Sequence, residues 1–150
     1  MHRFKRSEGQ PSSDVRETIT LTHDGALKAV AAGAARAVTM GVPQCLVVVD
    51  ASGEVLASLR MDGARFLSMR TAQAKACTAA SINAATGGMA FEAALSAGIA
   101  SQGDVTNLPE GLPICFGRRL AGGIGVGSGT GEQDFDVAHA ALAAVGADVI

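Results

Sequence analysis

The chain has no tryptophan and no tyrosine, and five phenylalanines make up its aromatic content across 150 residues. Its core must therefore rest on Val, Ile and Leu and on close Ala–Ala packing, because alanine supplies much of the 48% hydrophobic fraction. Cysteine is scarce as well. Cys45, Cys77 and Cys115 are odd in number and widely spaced, and no CxxC occurs. That excludes a zinc ribbon and a thioredoxin-type motif, and the apolar neighbours of each sulfur favour buried, reduced thiols. Neither HxxxH nor HExxH is present, so no metal site is expected. The formal charge is only −2, which gives no reason to expect nucleic acid or an anionic membrane as partner. No apolar run is long enough to span a membrane. The opening "MHRFKRSEGQPSSDV" is basic but is not followed by the apolar stretch of a signal peptide. A reducing, cytoplasmic setting is the expectation.

The length suits one domain able to bury roughly 70% of the surface it exposes when unfolded. Residues 1–15, polar and holding Gly9, Pro11, Ser12 and Ser13, read as a flexible arm, and 16–150 as the domain. "RETITL" alternates Thr18 and Thr20 with Ile19 and Leu21, the pattern of a short strand. Thr22 then caps a helix whose apolar face is predicted to be Leu27, Val30, Ala31, Ala34 and Val38, ending at Gly41 and Pro43. "QCLVVVD", the turn "ASG" and "EVLASLR" make a hairpin. The alanine-rich "SMRTAQAKACTAASINAA" predicts a long helix, and "MAFEAALSAG" a shorter one. "LPICF" and "LAGGIGV" around the basic turn "GRR" make a second hairpin. Thr130 and Gln133 then have capping-box spacing at the start of a last helix with Phe135, Ala138, Ala141, Leu142 and Val145 on its apolar face. The order β-α-β-β-α-α-β-β-α implies an α+β domain with a largely antiparallel sheet and packed helices.

Few groups on this frame could carry chemistry. Arg60 and Asp62 share a face if their strand stays extended through Met61. An Arg fork there would hold a carboxylate or phosphate. Without further information, the commoner outcome is a turn-capping Asp paired with a surface Arg, which contributes about 0–1 kcal/mol. Lys75 sits among Thr71, Ala72, Thr78 and Ala79, either in a cavity or snorkelling to solvent. The run "GGIGVGSGTGEQD" fits neither GxGxxG nor a P-loop. At a helix N-terminus, Gly125, Gly127, Ser128 and Gly129 would offer a generic anion site, or simply a close-packed connection. Asp134 and Asp136 suit the dipole of the last helix. His23, in a first turn, could ligate a haem or a metal but is more often solvated surface, and His139 reads as structural. No nucleophile elbow is present.

Taken together, "LTHDGALKAV", "VVVDASGEVLASLRMDGA", "AKACTAA" and "GGIGVGSGTGEQDFDVA" resemble, in order, the GlcG/HbpS-type haem-degrading (haem-binding) domain family. That family also supplies the C-terminal domain of PduO-type corrinoid adenosyltransferases. The resemblance runs from about Leu21 to Val145. Positions of the family pattern fall on Asp50, Gly53, Arg60, Asp62, Gly63, Lys75, Gly125 and Asp134. The usual "GVSGG" is altered here, since Val126 is followed by Gly127 and then Ser128. The resemblance implies an α+β domain that assembles as a dimer-based homo-oligomer, up to a tetramer or octamer. It also implies a small-molecule ligand, with haem or a related tetrapyrrole the best-named one.

Three readings follow. In the first, the chain is a small-ligand-binding protein. Arg60 holds a carboxylate such as a propionate, and Lys75 and the glycine-rich turn assist. In the second, it is a cofactor-independent enzyme acting on a small carboxylate or carbonyl compound, with Arg60 as anion clamp and Asp62 or Asp134 as general base. In the third, the charges are interfacial ion pairs that serve assembly.

Overall fold

The computed structural model describes residues 13–150, and most of the expected N-terminal arm lies outside them. Strand β1 (Cys45–Asp50) is apolar on both faces and lies at the centre of the molecule. Cys45, Val47 and Val49 pack to one side, Leu46 and Val48 to the other. The chain reverses at Ala51–Glu54, where Asp50 Oδ1 accepts the N–H groups of Ser52 (2.8 Å) and Glu54 (3.1 Å). This launches β2 (Val55–Arg60) antiparallel to β1. Strands β3 (Gly111–Phe116) and β4 (Arg119–Gly127) form the second hairpin. The four strands lie in the order β2-β1-β4-β3, every neighbour antiparallel.

Helices α1 (His23–Met40) and α4 (Gly131–Ala144) pack on each other and on one face of the sheet. Helix α2 (Ser68–Ile82) covers the other face through Ala72, Ala76 and Ala80. It can lie close only because β4 turns glycines toward it. A Cβ on Gly125 would run into the backbone carbonyl oxygen of Ala72. Helix α3 (Phe91–Ala100) packs against no other helix or strand. Both caps anticipated for α1 and α4 form. Thr22 Oγ1 accepts from Gly25 N–H at 3.1 Å, and Thr130 and Gln133 make the reciprocal capping box.

The α+β class and the antiparallel sheet agree with the sequence reading, and from α1 onward so does the order of elements. Three details differ. The strand expected over "RETITL" is reduced to one sheet-like bond, Leu21 N–H to Ala121 O at 2.9 Å. Arg16–Thr20 are exposed apart from half-buried Ile19, so too little apolar surface is buried to hold a fifth strand. Helix α1 is rotated relative to the predicted face. It buries Ala26, Ala29, Val30, Gly33 and Ala37, and leaves Leu27 and Val38 more than half exposed. Close approach to α4 and β1 selects the small side chains over the large ones. Phe135 of α4 is likewise partly exposed and packs on the His139 ring, with centroids 4.1 Å apart.

Candidate functional site

The short α1–β1 connection, the end of β4 and the start of α4 meet at one end of the sheet, beside the middle of α2. Lys75 and Asp134 come together there, both almost fully buried. Lys75 Nζ donates to Val126 O at 2.7 Å and to Asp134 Oδ2 at 3.2 Å. Asp134 Oδ1 accepts Gly129 N–H at 3.1 Å. Gln44, with its amide nitrogen turned toward the acceptors, donates to Asp134 Oδ1 at 2.8 Å and to Gly127 O at 2.6 Å. The network therefore ties α2, β4, the glycine-rich turn, α4 and the start of β1 through the buried side chains of Lys75, Asp134 and Gln44.

Two strained residues flank the pair. Glu110, just before β3, has φ +79°, and Ser128, just after β4, has φ +84°. Glu110 approaches the N-terminus of α4 at Gly131. Burial pushes its carboxyl above the ordinary range, opposed by the Lys75 charge. Burial also raises Asp134, against Lys75, the Gly129 N–H and Gln44, which favour its ionised form. Both Asp134 oxygens already accept hydrogen bonds and the side chain is shut off from solvent.

The second assembly of charges is exposed. From Arg60 to Arg70 the chain carries three arginines against one aspartate, Asp62. β2 ends at Arg60, which lies opposite Cys45. Sheet pairing runs one residue further, Met61 N–H donating to Gln44 O at 3.0 Å, and the chain then turns, Ala64 N–H bonding to Met61 O, with Asp62 in the turn. Among the described residues no ion pair joins Arg60 to Asp62. Arg65 N–H donates to Ser128 Oγ at 2.9 Å, which fastens this corner to the glycine-rich turn. Between the arginines stand Phe66 and Leu67, 68% and 57% exposed. One helical turn beyond Leu67, Arg70 lines a cavity of about 510 Å³ with Thr71, Gln73, Gln102 and Asp104.

The glycine run plays a different part from an open anion cradle. Gly125 and Gly127 belong to β4 and lie against α2, and the Gly129 N–H is taken by Asp134. His23 is exposed and stands 3.5 Å from Asp24. Helix α1 is 18 residues long, about 27 Å, and its other end leads into β1 beside Arg60. His23 and Arg60 thus lie at opposite ends of the domain. His139 Nε2 is buried without a hydrogen-bond partner among the described residues. Burial holds the thiols of Cys45, Cys77 and Cys115 above their ordinary range. Among the described residues no three His, Cys, Asp or Glu side chains are grouped to hold a metal, and no helix is long and apolar enough to cross a membrane. Sequence reasoning missed Gln44, Glu110, Phe66 and Leu67. A lone polar residue beside a buried strand was the only signal for Gln44. Glu110 gave none, since its "LPEG" context reads as an ordinary loop.

Comparison with known proteins places these features in a family context. The family model of the haem-degrading HbpS-like proteins matches residues 21–143. The corrinoid adenosyltransferase PduO of Salmonella typhimurium is 31% identical over 140 residues, covering 90% of this chain and 42% of that protein's length. The crystal structure of Klebsiella pneumoniae protein ORFY superposes with a TM-score of 0.82 at 27% identity, covering 91% of this chain and 98% of that one. A crystal structure of a PduOC:haem complex superposes with a TM-score of 0.77 at 28% identity, covering 87% and 98% respectively.

Proposed function

This chain belongs to the haem-degrading HbpS-like family, and from that premise we propose that it binds haem or a related tetrapyrrole at the corner from Arg60 to Arg70. The observation that carries the reading is the exposed Phe66–Leu67 pair set among Arg60, Arg65 and Arg70, in a protein whose net charge is otherwise slightly negative. A tetrapyrrole dicarboxylate is a flat apolar ring with two anions on its edge. Aromatic and aliphatic side chains suit the ring face, and guanidinium forks suit the carboxylates. The haem complex of the PduOC relative supports the same ligand class.

The corner fits the ring and its carboxylates better than the iron. The Cys45 thiol donates to Arg65 O, the Met61 sulfur accepts the Gln44 N–H, and His23 is at the far end of the domain. Recognition at this corner therefore runs through ring and carboxylates. Lys75 and Asp134 hold the glycine-rich turn, and through Ser128 they hold Arg65 in place. The enzymatic alternative would rest on Asp62, which is exposed and lies in water rather than in a desolvated site.

Absorbance titration of the purified protein with haemin, repeated with iron-free protoporphyrin, tests the proposal. Saturable binding of both is expected, weakened about tenfold in Arg60→Ala, the loss of roughly one charge-assisted hydrogen bond. His23→Ala should leave the affinity of this site unchanged. Non-saturating uptake, or an Arg60→Ala affinity equal to wild type, would remove the assignment.

A further inference from the structure

The cavity of about 510 Å³ that Arg70 lines does not end at Asp104. It shares Gln73, Asp104 and Val105 with a second cavity, of about 450 Å³, that reaches Glu54 and Cys77. Together they form a groove with α2 as its floor, the turn after β1 as one wall and the segment 102–106 as the other. Side chains of the floor hold both walls. Cys77 Sγ donates to Gly53 O at 3.3 Å. Thr78, almost fully buried, donates from Oγ1 to Asp104 O at 3.2 Å and accepts Thr106 N–H at 3.0 Å. The second wall includes Gln102 at φ +56°, a strained conformation for a residue with a side chain. The charges in the groove are separated by sign. Arg70 stands at one end, and Glu54 and Asp104 face each other from the two walls at the other. Burial, then Asp104 and Glu54, push the Cys77 thiol above its ordinary range, which places both carboxylates close to it. All three charged side chains are exposed, and among the described residues none has an ion-pair partner.

We propose that this groove binds a short ω-amino acid, with its ammonium between Glu54 and Asp104 and its carboxylate on Arg70. An ammonium has three donors to share between carboxylates on opposite walls. The guanidinium fork matches a carboxylate. The span sets the length of the ligand. Arg70 and Cys77 are seven residues apart on α2, about 10 Å along its axis. An α-amino acid carries both charges on one carbon and cannot reach both ends. Between the ends, Ala74 and Val105 offer apolar surface to methylene groups, and Gln73 adds no charge. A metal ion is the poorer occupant. The thiol is held protonated and bonded to Gly53 O, and among the described residues no three His, Cys, Asp or Glu side chains are grouped to hold one. The proposal stands apart from the tetrapyrrole reading, because Glu54 and Asp104 are no part of the arginine corner.

Isothermal titration calorimetry on the full chain tests it, with γ-aminobutyrate, butyrate and butylamine as probes. Saturable binding of γ-aminobutyrate is expected, with butyrate and butylamine each weaker by about tenfold, the loss of one charge-assisted contact. Asp104→Asn should weaken γ-aminobutyrate and butylamine by about tenfold and leave butyrate unchanged. Arg70→Ala should weaken γ-aminobutyrate and butyrate and leave butylamine unchanged. Both side chains are exposed and unpaired among the described residues, so the variants should unfold as the wild type does. Glu54→Gln, on the other wall, carries the test should Asp104→Asn fail to fold. Haemin titration of Asp104→Asn should match the wild type, so a failed tetrapyrrole reading and a failed groove give different results. No saturation by γ-aminobutyrate in the millimolar range would overturn the proposal. Butyrate or butylamine binding as tightly as γ-aminobutyrate would do the same, as would an affinity unchanged in both Asp104→Asn and Glu54→Gln.

Discussion

Asp134 has both oxygens taken and Lys75 has two of its three donors engaged, all out of contact with water. Such a pair is not strong evidence of stability by itself, because desolvation offsets much of the attraction. Removing one partner is different, since it strands a charge. Lys75→Ala should cost about 3–5 kcal/mol in urea unfolding, whereas Lys28→Ala on the exposed side of α1 should stay within about 0.5 kcal/mol. If Lys75 instead served a ligand, its loss would lower affinity and leave unfolding unchanged. The sequence singled out Lys75 and Asp134 separately, through the family pattern. It could not pair them, because 59 residues separate them and only the docking of α2 on β4 and α4 closes the gap. Gln44 and Glu110 join the same cluster through the sheet. Nothing in their local sequence announces that.

Among the elements, the interface of α2 with β4 is the most demanding. Alanines on the helix meet glycines on the strand, and the backbones approach where a Cβ cannot fit. Gly125→Ala would have to displace the Ala72 carbonyl, which is backbone and gives little. A loss of about 3 kcal/mol or more, read as a lowered urea midpoint or insoluble protein, is expected. Gly33→Ala is the useful contrast. There a Cβ meets the far end of the flexible Leu46 side chain, and the helix gains from alanine, so the cost should be smaller. The glycine run that suggested an anion-binding turn is therefore mostly a packing device: the period of two from Gly123 to Gly127 turns bare backbone toward α2. The run was legible as unusual. Its purpose was not, because a glycine that cradles a ligand and one that admits a helix look alike in sequence.

For the whole molecule, stability against pH follows from which carboxyls folding perturbs. Glu110 and Asp134 are raised by burial. A raised carboxyl contributes its stability fully below the unfolded value, about 4, and loses it as pH rises through the folded value. Exposed Asp136 is lowered by the Arg36 guanidinium 2.6 Å away, so its contribution is present above about 4 and lost below. The Glu110 contribution should therefore make stability rise as pH falls from 7.5 toward about 4, the unfolded value. Glu110→Gln should flatten that rise and gain most at pH 7.5, as measured by urea unfolding at the two pH values. A steeper rise in the variant would contradict the assignment. The sequence by itself determined the α+β class, the two hairpins, the caps of α1 and α4 and the family, because periodicity, turn chemistry and motif order act locally along the chain. Only the tertiary structure decided that Lys75 and Asp134 lock together, that among the described residues no ion pair joins Arg60 to Asp62, that His23 lies far from Arg60, and that Phe66, Leu67 and α3 stand uncovered. Contact and exposure depend on how elements pack, and no short stretch of sequence carries that information.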